Sequence, residues 1–293
     1  MDPNTPPQPS KKLTRRSFLK KAAMTTAGAL VAAPAAYSYA RFAEPKWLDI
    51  NEVTLTSARL PKGLDGLRLV QFSDVHLGFH YDAPALEQLA QTINGLNPEI
   101  VCFTGDLVDY AVGQAGGAYV KALSLIQASV GRYAVLGNHD YFNGPNAVEK
   151  VLNSAGFKTL RNAGVRVERG GGAMWIAGVE DQWHGKPNLE KAMNGAASEE
   201  FTLLLSHCPD FADEALKFPV DLQLSGHSHG GQVRLPLYGH VVTPKFAQKY
   251  VIGRYELGEG KLQLYVNRGI GVSQHQVRFL CRPELSVFTL RKA

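Results

Sequence analysis

Short apolar runs alternate with longer stretches of helical spacing through the first half of this chain. Residues 67–72 (LRLVQF), 99–103 (EIVCF) and 133–136 (YAVL) are compact apolar blocks bounded by polar residues, the pattern of buried strands. Residues 84–93 (PALEQLAQTI), 119–128 and 147–154 repeat apolar positions every three or four residues, which predicts helices. Such a strand–helix rhythm implies parallel strands joined by helical crossovers. The second half is richer in strands, predicted at 165–168, 174–179, 201–205, 222–224, 249–257, 262–266 and 285–290, with a hairpin turn at 257–261 (LGEGK). A lead-in strand is expected at 48–55, before a turn at Pro61-Lys62-Gly63. There is no internal repeat, and one domain of two packed sheets flanked by helices, residues 41–293, accommodates the pattern.

The polar residues directly behind the strands carry the chemistry. The strand at 67–72 is followed by Ser73-Asp74-Val75-His76, that at 99–103 by Thr104-Gly105-Asp106, and that at 133–136 by Gly137-Asn138-His139-Asp140. In the second half, 201–205 runs into Ser206-His207, and 222–224 into Ser225-Gly226-His227-Ser228-His229. Neighbours in an extended segment face opposite ways, so His227 and His229 are able to address one point, and the flanking glycines allow close approach. Each residue has an ordinary structural reading: Asp74 as a helix cap, Asn138 as a turn residue, His207 as a core histidine. Five strand ends in succession bearing nitrogen and oxygen ligands weigh against that reading, because ligands collect at the carboxyl ends of parallel strands. The set mixes imidazole, carboxylate and amide oxygen without thiolate, which suits Mn, Fe or Zn.

Charge reveals a separate leader. Residues 1–40 hold six bases and one acid, while the remaining 253 residues carry 25 of each. A neutral body gives no footing for nucleic acid, so no nucleic-acid partner is expected. Thr14-Arg15-Arg16-Ser17-Phe18-Leu19-Lys20, followed by a weakly apolar run at 22–36, has the twin-arginine export pattern. It implies contact with the twin-arginine export machinery and a place in the periplasm or cell envelope. Ser38-Tyr39-Ala40 offers a cleavage site after Ala40; the other reading is an uncleaved leader that stays as a membrane anchor. Cys102, Cys208 and Cys281 are odd in number and without CxxC spacing; Cys102, inside an apolar strand, reads as a buried thiol, and alternation sends Cys208 to the face opposite His207.

In this order, D-x-H, G-D, G-N-H-D, a lone H and G-H-x-H across residues 67–231 resemble the calcineurin-like metallophosphoesterase superfamily. The leader, Asn267-Arg268-Gly269-Ile270-Gly271 and residues 278–284 (RFLCRPE) are similar to its exported YkuE/YaeI-like phosphodiesterase branch. The resemblance implies a four-layer α-β-β-α sandwich of two mixed sheets and two divalent metal ions. Asp74, His76 and His229 would hold the first ion, Asn138, His207 and His227 the second, and Asp106 would bridge them. His139 resembles the family's non-ligand histidine at the leaving oxygen, with Asp140 expected to hold its ring or cap a helix. The implied activity is metal-dependent hydrolysis of a phosphoester outside the cytoplasmic membrane, on a phosphorylated small molecule or a lipid- or nucleotide-linked substrate. A UDP-2,3-diacylglucosamine-type pyrophosphate hydrolase in lipid A synthesis and a non-catalytic metal-binding scaffold are the alternatives. For substrate contacts the sequence offers His80-Tyr81-Asp82, residues 181–184 (DQWH), and Arg268, Arg278 or Arg282 as phosphate clamps.

Overall fold

A computed structural model describes residues 14–293; residues 1–13, with Lys11 and Lys12 of the expected leader, lie outside the described residues. The Thr14 hydroxyl accepts the Ser17 amide and starts α1 (Arg15–Ser38), which carries both arginines of the export pattern. The helix continues into a wider turn, Tyr39–Ala43, and β1 (Asp49–Ser57) follows. Then come β2 (Arg68–Phe72), α2 (Ala83–Gly95), β3 (Ile100–Phe103), α3 (Gly116–Ser124), β4 (Gly131–Ala134), α4 (Pro145–Ser154) and β5 (Lys158–Thr159). The second half runs through β6 (Ala163–Arg169), β7 (Gly172–Gly178), α5 (Leu189–Ala192), β8 (Phe201–Leu205), α6 (Ala212–Ala215) and β9 (Leu222–Ser225). A short hairpin, β10 (Arg234–Leu235) and β11 (Gly239–His240), precedes β12 (Gly253–Leu257), β13 (Leu262–Val266) and β14 (Glu284–Lys292).

Two six-stranded sheets result, ordered β1-β14-β2-β3-β4-β5 and β12-β13-β9-β8-β7-β6. Strands β2 to β5 are parallel, as are β7, β8, β9 and β13, while β14 runs antiparallel to β2, β6 to β7 and β12 to β13, so both sheets are mixed. Alternation along each strand supplies two apolar faces. Leu69, Ile100 and Cys102 meet Ile176, Leu203, Leu205 and Leu224 between the sheets. Val70, Phe72, Val101 and Phe103 face outward to α2, α3 and α4, and Trp175, Ala177 and Leu204 face outward to α5 and α6. The molecule is thus the four-layer α-β-β-α sandwich.

Several boundaries differ from the periodicity, each for a local reason. The strand expected from 249 begins only at Gly253, because the Asp210 carboxylate takes the amides of Gln248, Lys249 and Tyr250 and holds them off the ladder. The helix expected to reach residue 128 stops at Ser124, where the Leu125 and Ile126 amides turn back to the Ala122 and Leu123 carbonyls. At residue 40 there is no break between leader and body. The buried Ala40 carbonyl accepts the Arg278 amide at 2.9 Å, and Tyr39 stands edge-on to Phe279 at 6.3 Å. The buried Glu44 carboxylate accepts the amides of Leu280 and Cys281. No helix among the described residues is long and apolar enough to cross a membrane.

Candidate metal centre

The carboxyl ends of β2, β3, β8 and β9, and the turn after β4, open onto one rim, and the structure brings all seven predicted ligands together there, buried. Five of them, Asp74 (φ 54°), His76 (51°), Asp106 (58°), His227 (67°) and His229 (50°), adopt left-handed backbone conformations. Each such residue costs about 1–3 kcal/mol and persists only where its surroundings fix it. Here the Asp74 and Val75 amides bond to the Gly105 and Asp106 carbonyls at 2.8 Å, and the His227 amide bonds to both Asp74 oxygens at 3.1 Å. Gly226 must lack a side chain, because a Cβ there would strike Ser73 Oγ and the Asp74 carboxylate.

Asp74, His76 and His229 form one group, with His76 Nε2 3.1 Å from His229 Nε2 and His229 Nε2 3.4 Å from Asp74 Oδ1. Asp106, His207 and His227 form a second, with Asn138 Oδ1 3.1 Å from His207 Nε2. Asp106 joins the two. Its Oδ1 accepts the His139 amide at 2.8 Å, while its Oδ2 lies 3.6 Å from His76 Nε2 and 3.3 Å from His207 Nε2.

The rings are held with their ligand nitrogens inward. His207 Nδ1 donates to the Thr104 carbonyl at 2.7 Å and His227 Nε2 donates to the Lys245 carbonyl at 2.8 Å, which leaves Nε2 and Nδ1 respectively as the free lone pairs. Asp109 Oδ1 lies 3.2 Å from His76 Nδ1, and His76 Nε2 faces the cluster. Lone pairs and carboxylate oxygens pointed at one another at these distances repel unless a proton or a cation lies among them. Nitrogen and oxygen donors in two groups with a shared carboxylate fit two divalent cations.

Without cations, the charge in the cluster concentrates on one pair. Burial lowers His207, but Asp106 overcomes it and pushes the imidazole up to about 10. Burial and the neighbouring His207 push His227 down to about 3, and burial with His76 holds His229 well below the usual range. Burial raises Asp106, yet His207, His139 and His76 together hold it well below the carboxylate norm.

His139 sits beside the cluster, its ring 4.6 Å from that of His76 and perpendicular to it. Its Nδ1 donates to the Asp109 carbonyl at 2.6 Å, so Nε2 is left without a protein partner among the described residues. The expected support from Asp140 is corrected by the structure. The Asp140 carboxylate accepts the amides of Asp106, Leu107 and Gly137 at 2.9 Å and of Val108 at 3.2 Å, and does not touch the His139 ring. Burial and the nearby Asp106 push its carboxyl up to about 7, against the pull of the Gly137 and Val108 amides. Asp140 therefore builds the loop that holds Asp106. The residue that reaches both His76 and His139 is Asp109, which the sequence reasoning missed; its one signal was its position three residues beyond Asp106, inside the same turn.

The expected substrate contacts divide. Asp82 caps α2 through the Ala85 amide. Arg268 is paired with Glu284 and Asp49, Arg282 with Asp49, and the buried Arg278 donates to the carbonyls of Arg268, Gly269, Gly271 and Cys281, so none is a phosphate clamp. Residues 181–184 do reach the centre. Asp181 takes the Trp183 and His184 amides, and the Trp183 ring stands edge-on to His227 at 5.9 Å. Phe142, half exposed, lies 4.7 Å from His139. Cys208 is buried with its thiol on Asp181, and burial and that carboxylate raise it well above the thiol norm, which removes it as a nucleophile.

A profile of the calcineurin-like phosphoesterase family matches residues 67–231, from the start of the first strand–helix unit to the glycines behind His229. The chain belongs to this family. The metallophosphoesterase YkuE of Bacillus subtilis (strain 168), described as uncharacterized, is 38% identical over 284 residues, which cover 96% of this chain and 99% of that protein. Phosphodiesterase YaeI of Escherichia coli (strain K12) is 27% identical over 95% of this metallophosphoesterase and 99% of its own length. UDP-2,3-diacylglucosamine pyrophosphatase LpxG of Chlamydia muridarum (strain MoPn / Nigg) is 27% identical over 88% and 94% respectively. The chain is a metal-dependent phosphoester hydrolase of this family.

Proposed function

We propose that this metallophosphoesterase is an exported hydrolase that cleaves a phosphodiester or a lipid- or nucleotide-linked pyrophosphate at the outer side of the cytoplasmic membrane. The observation that carries the chemistry is Asp106 Oδ2, placed within 3.6 Å of one imidazole from each donor group. Asp74, His76 and His229 would hold one ion, and Asn138, His207 and His227 the other, with Asp106 between them. When bound, the ions supply the concentrated positive charge that lets an anionic phosphoester be attacked. His139, oriented by the Asp109 carbonyl, presents Nε2 to hold or pass a proton at the leaving oxygen. Trp183 and Phe142 flank the approach, beside His227 and His139. The twin-arginine pattern in α1 supports export, and YaeI, named a phosphodiesterase, supports the substrate class.

A second reading, hydrolysis of UDP-2,3-diacylglucosamine, is favoured by the likeness to LpxG. The scaffold reading is disfavoured by seven donors all in place. The test is hydrolysis by metal-reconstituted full chain of bis-p-nitrophenyl phosphate, a phosphomonoester and UDP-2,3-diacylglucosamine, with Mn(II), Fe(II) or Zn(II) and with chelator. Diester turnover abolished by chelator supports the proposal; turnover confined to the UDP-sugar lipid moves the assignment to the second reading, and no turnover on any substrate rejects both.

A further inference from the structure

The hairpin β10–β11 breaks the rule that a surface turn is polar. Leu235, Leu237, Tyr238, Val241 and Val242 are all exposed, Leu237 completely. The hairpin grows directly out of the metal centre. It begins just behind His229, with Gly231 packed so close to His240 that a Cβ would strike it, and it returns at Lys245, whose carbonyl orients His227. On its flank Val233 bridges to Phe279, next to the exposed Leu280, and Phe279 meets Tyr39 where α1 ends.

The sequence segments that flank this apolar knob are basic. Residues 222–255 carry four bases and no acid, residues 260–283 another four and no acid, and residues 3–43 likewise contain no acid, although the body as a whole is neutral. Among the described residues, Arg41, Arg234 and Lys245 form no ion pair. Lys249, Arg254, Arg268 and Arg282 are paired with acids and Arg278 is buried, so the unpaired charge beside the apolar tip is that of Arg41, Arg234 and Lys245, which disfavours a second copy of the tip and is complementary to an anionic lipid surface.

We propose that the hairpin at residues 235–242 inserts into the headgroup–acyl boundary of a bilayer containing anionic lipid and seats the mouth of the metal centre at the membrane surface. The inference rests on the membrane-proximal reading above, which it deepens by naming the docking element. Cys102, Cys208 and Cys281 are buried, so a polarity-sensitive fluorophore on Leu237→Cys reports that position in the metal-loaded full chain. Vesicles of phosphatidylglycerol with phosphatidylcholine should shift its emission to the blue, and phosphatidylcholine alone much less. The double variant Leu237→Asp/Tyr238→Asp should partition to the anionic vesicles at least about tenfold more weakly while hydrolysing soluble bis-p-nitrophenyl phosphate unchanged. Vesicle binding without an emission shift would mean that the leader alone binds and would overturn the proposal. So would a double variant that binds as well as the parent, or one whose only change is loss of a dimer in sedimentation velocity. Docking without turnover would sink the hydrolase reading and leave this one standing.

Discussion

Asp109 serves two imidazoles at once, its carboxylate 3.2 Å from His76 Nδ1 and its carbonyl 2.6 Å from His139 Nδ1. Carboxylates behind metal-binding histidines fix the tautomer, and losing one typically costs 10–100-fold in affinity. Asp109→Ala should therefore weaken metal binding by about 10–100-fold, read by titration of the metal-free protein with Mn(II). His139→Ala, by contrast, should keep both metals in elemental analysis and lower turnover of bis-p-nitrophenyl phosphate by about 10²–10⁴-fold. Full activity in that variant would remove His139 from the reaction. The seven donors were legible in the sequence because each stands directly behind an apolar strand. Asp140 was misread because adjacency in sequence is not adjacency in space. In the tight turn His139–Tyr141, successive side chains diverge by about 120°, so Asp140 turns inward to four amides while His139 faces the cluster. Asp109 was missed because its partners lie 33 and 30 positions away and only the folded loop unites them.

The elements work as rigid posts for short, strained loops. Gly226 links β9 to the two histidines, and a methyl group there has no room beside Ser73 and Asp74. Overpacking of this kind costs about 1–3 kcal/mol, and Ser73 and the Asp74 carboxylate are what must move. Gly226→Ala is accordingly expected to lower the melting temperature and to empty the Asp74–His76–His229 group first, with metal stoichiometry as the measurement. A variant with unchanged metal content and stability would show the turn to be more tolerant than its geometry implies. Most strands were legible from apolar blocks, since burial on both faces leaves little choice of residue. The β10–β11 hairpin was not, because its apolar residues meet no core and follow no strand period.

At the scale of the molecule, two sheets hold one charged rim closed. Cations that bind only the folded chain stabilise it by mass action, about 2.7 kcal/mol for one site at a hundredfold excess over Kd. Chelation should thus lower the melting temperature and Mn(II) or Zn(II) should restore it, monitored by circular dichroism. The leader makes a second prediction. With Ala40 bonded to Arg278 and Glu44 to Leu280 and Cys281, the folded chain shields the bond after Ala40. Intact mass of the protein isolated from cells should then include the residues before Arg41, whereas a mature chain beginning at Arg41 would show that processing precedes docking of this segment.

The position of β14 also sets an order of events during synthesis. Residues 284–292 are translated after both β1 and β2, yet they fill the slot between them, pairing with both. Until they leave the ribosome, two early strands face each other across an open gap with unpaired backbone edges. A nascent chain stalled near residue 280 is therefore a vulnerable species, and emergence of residues 284–292 is the step that zips the first sheet shut.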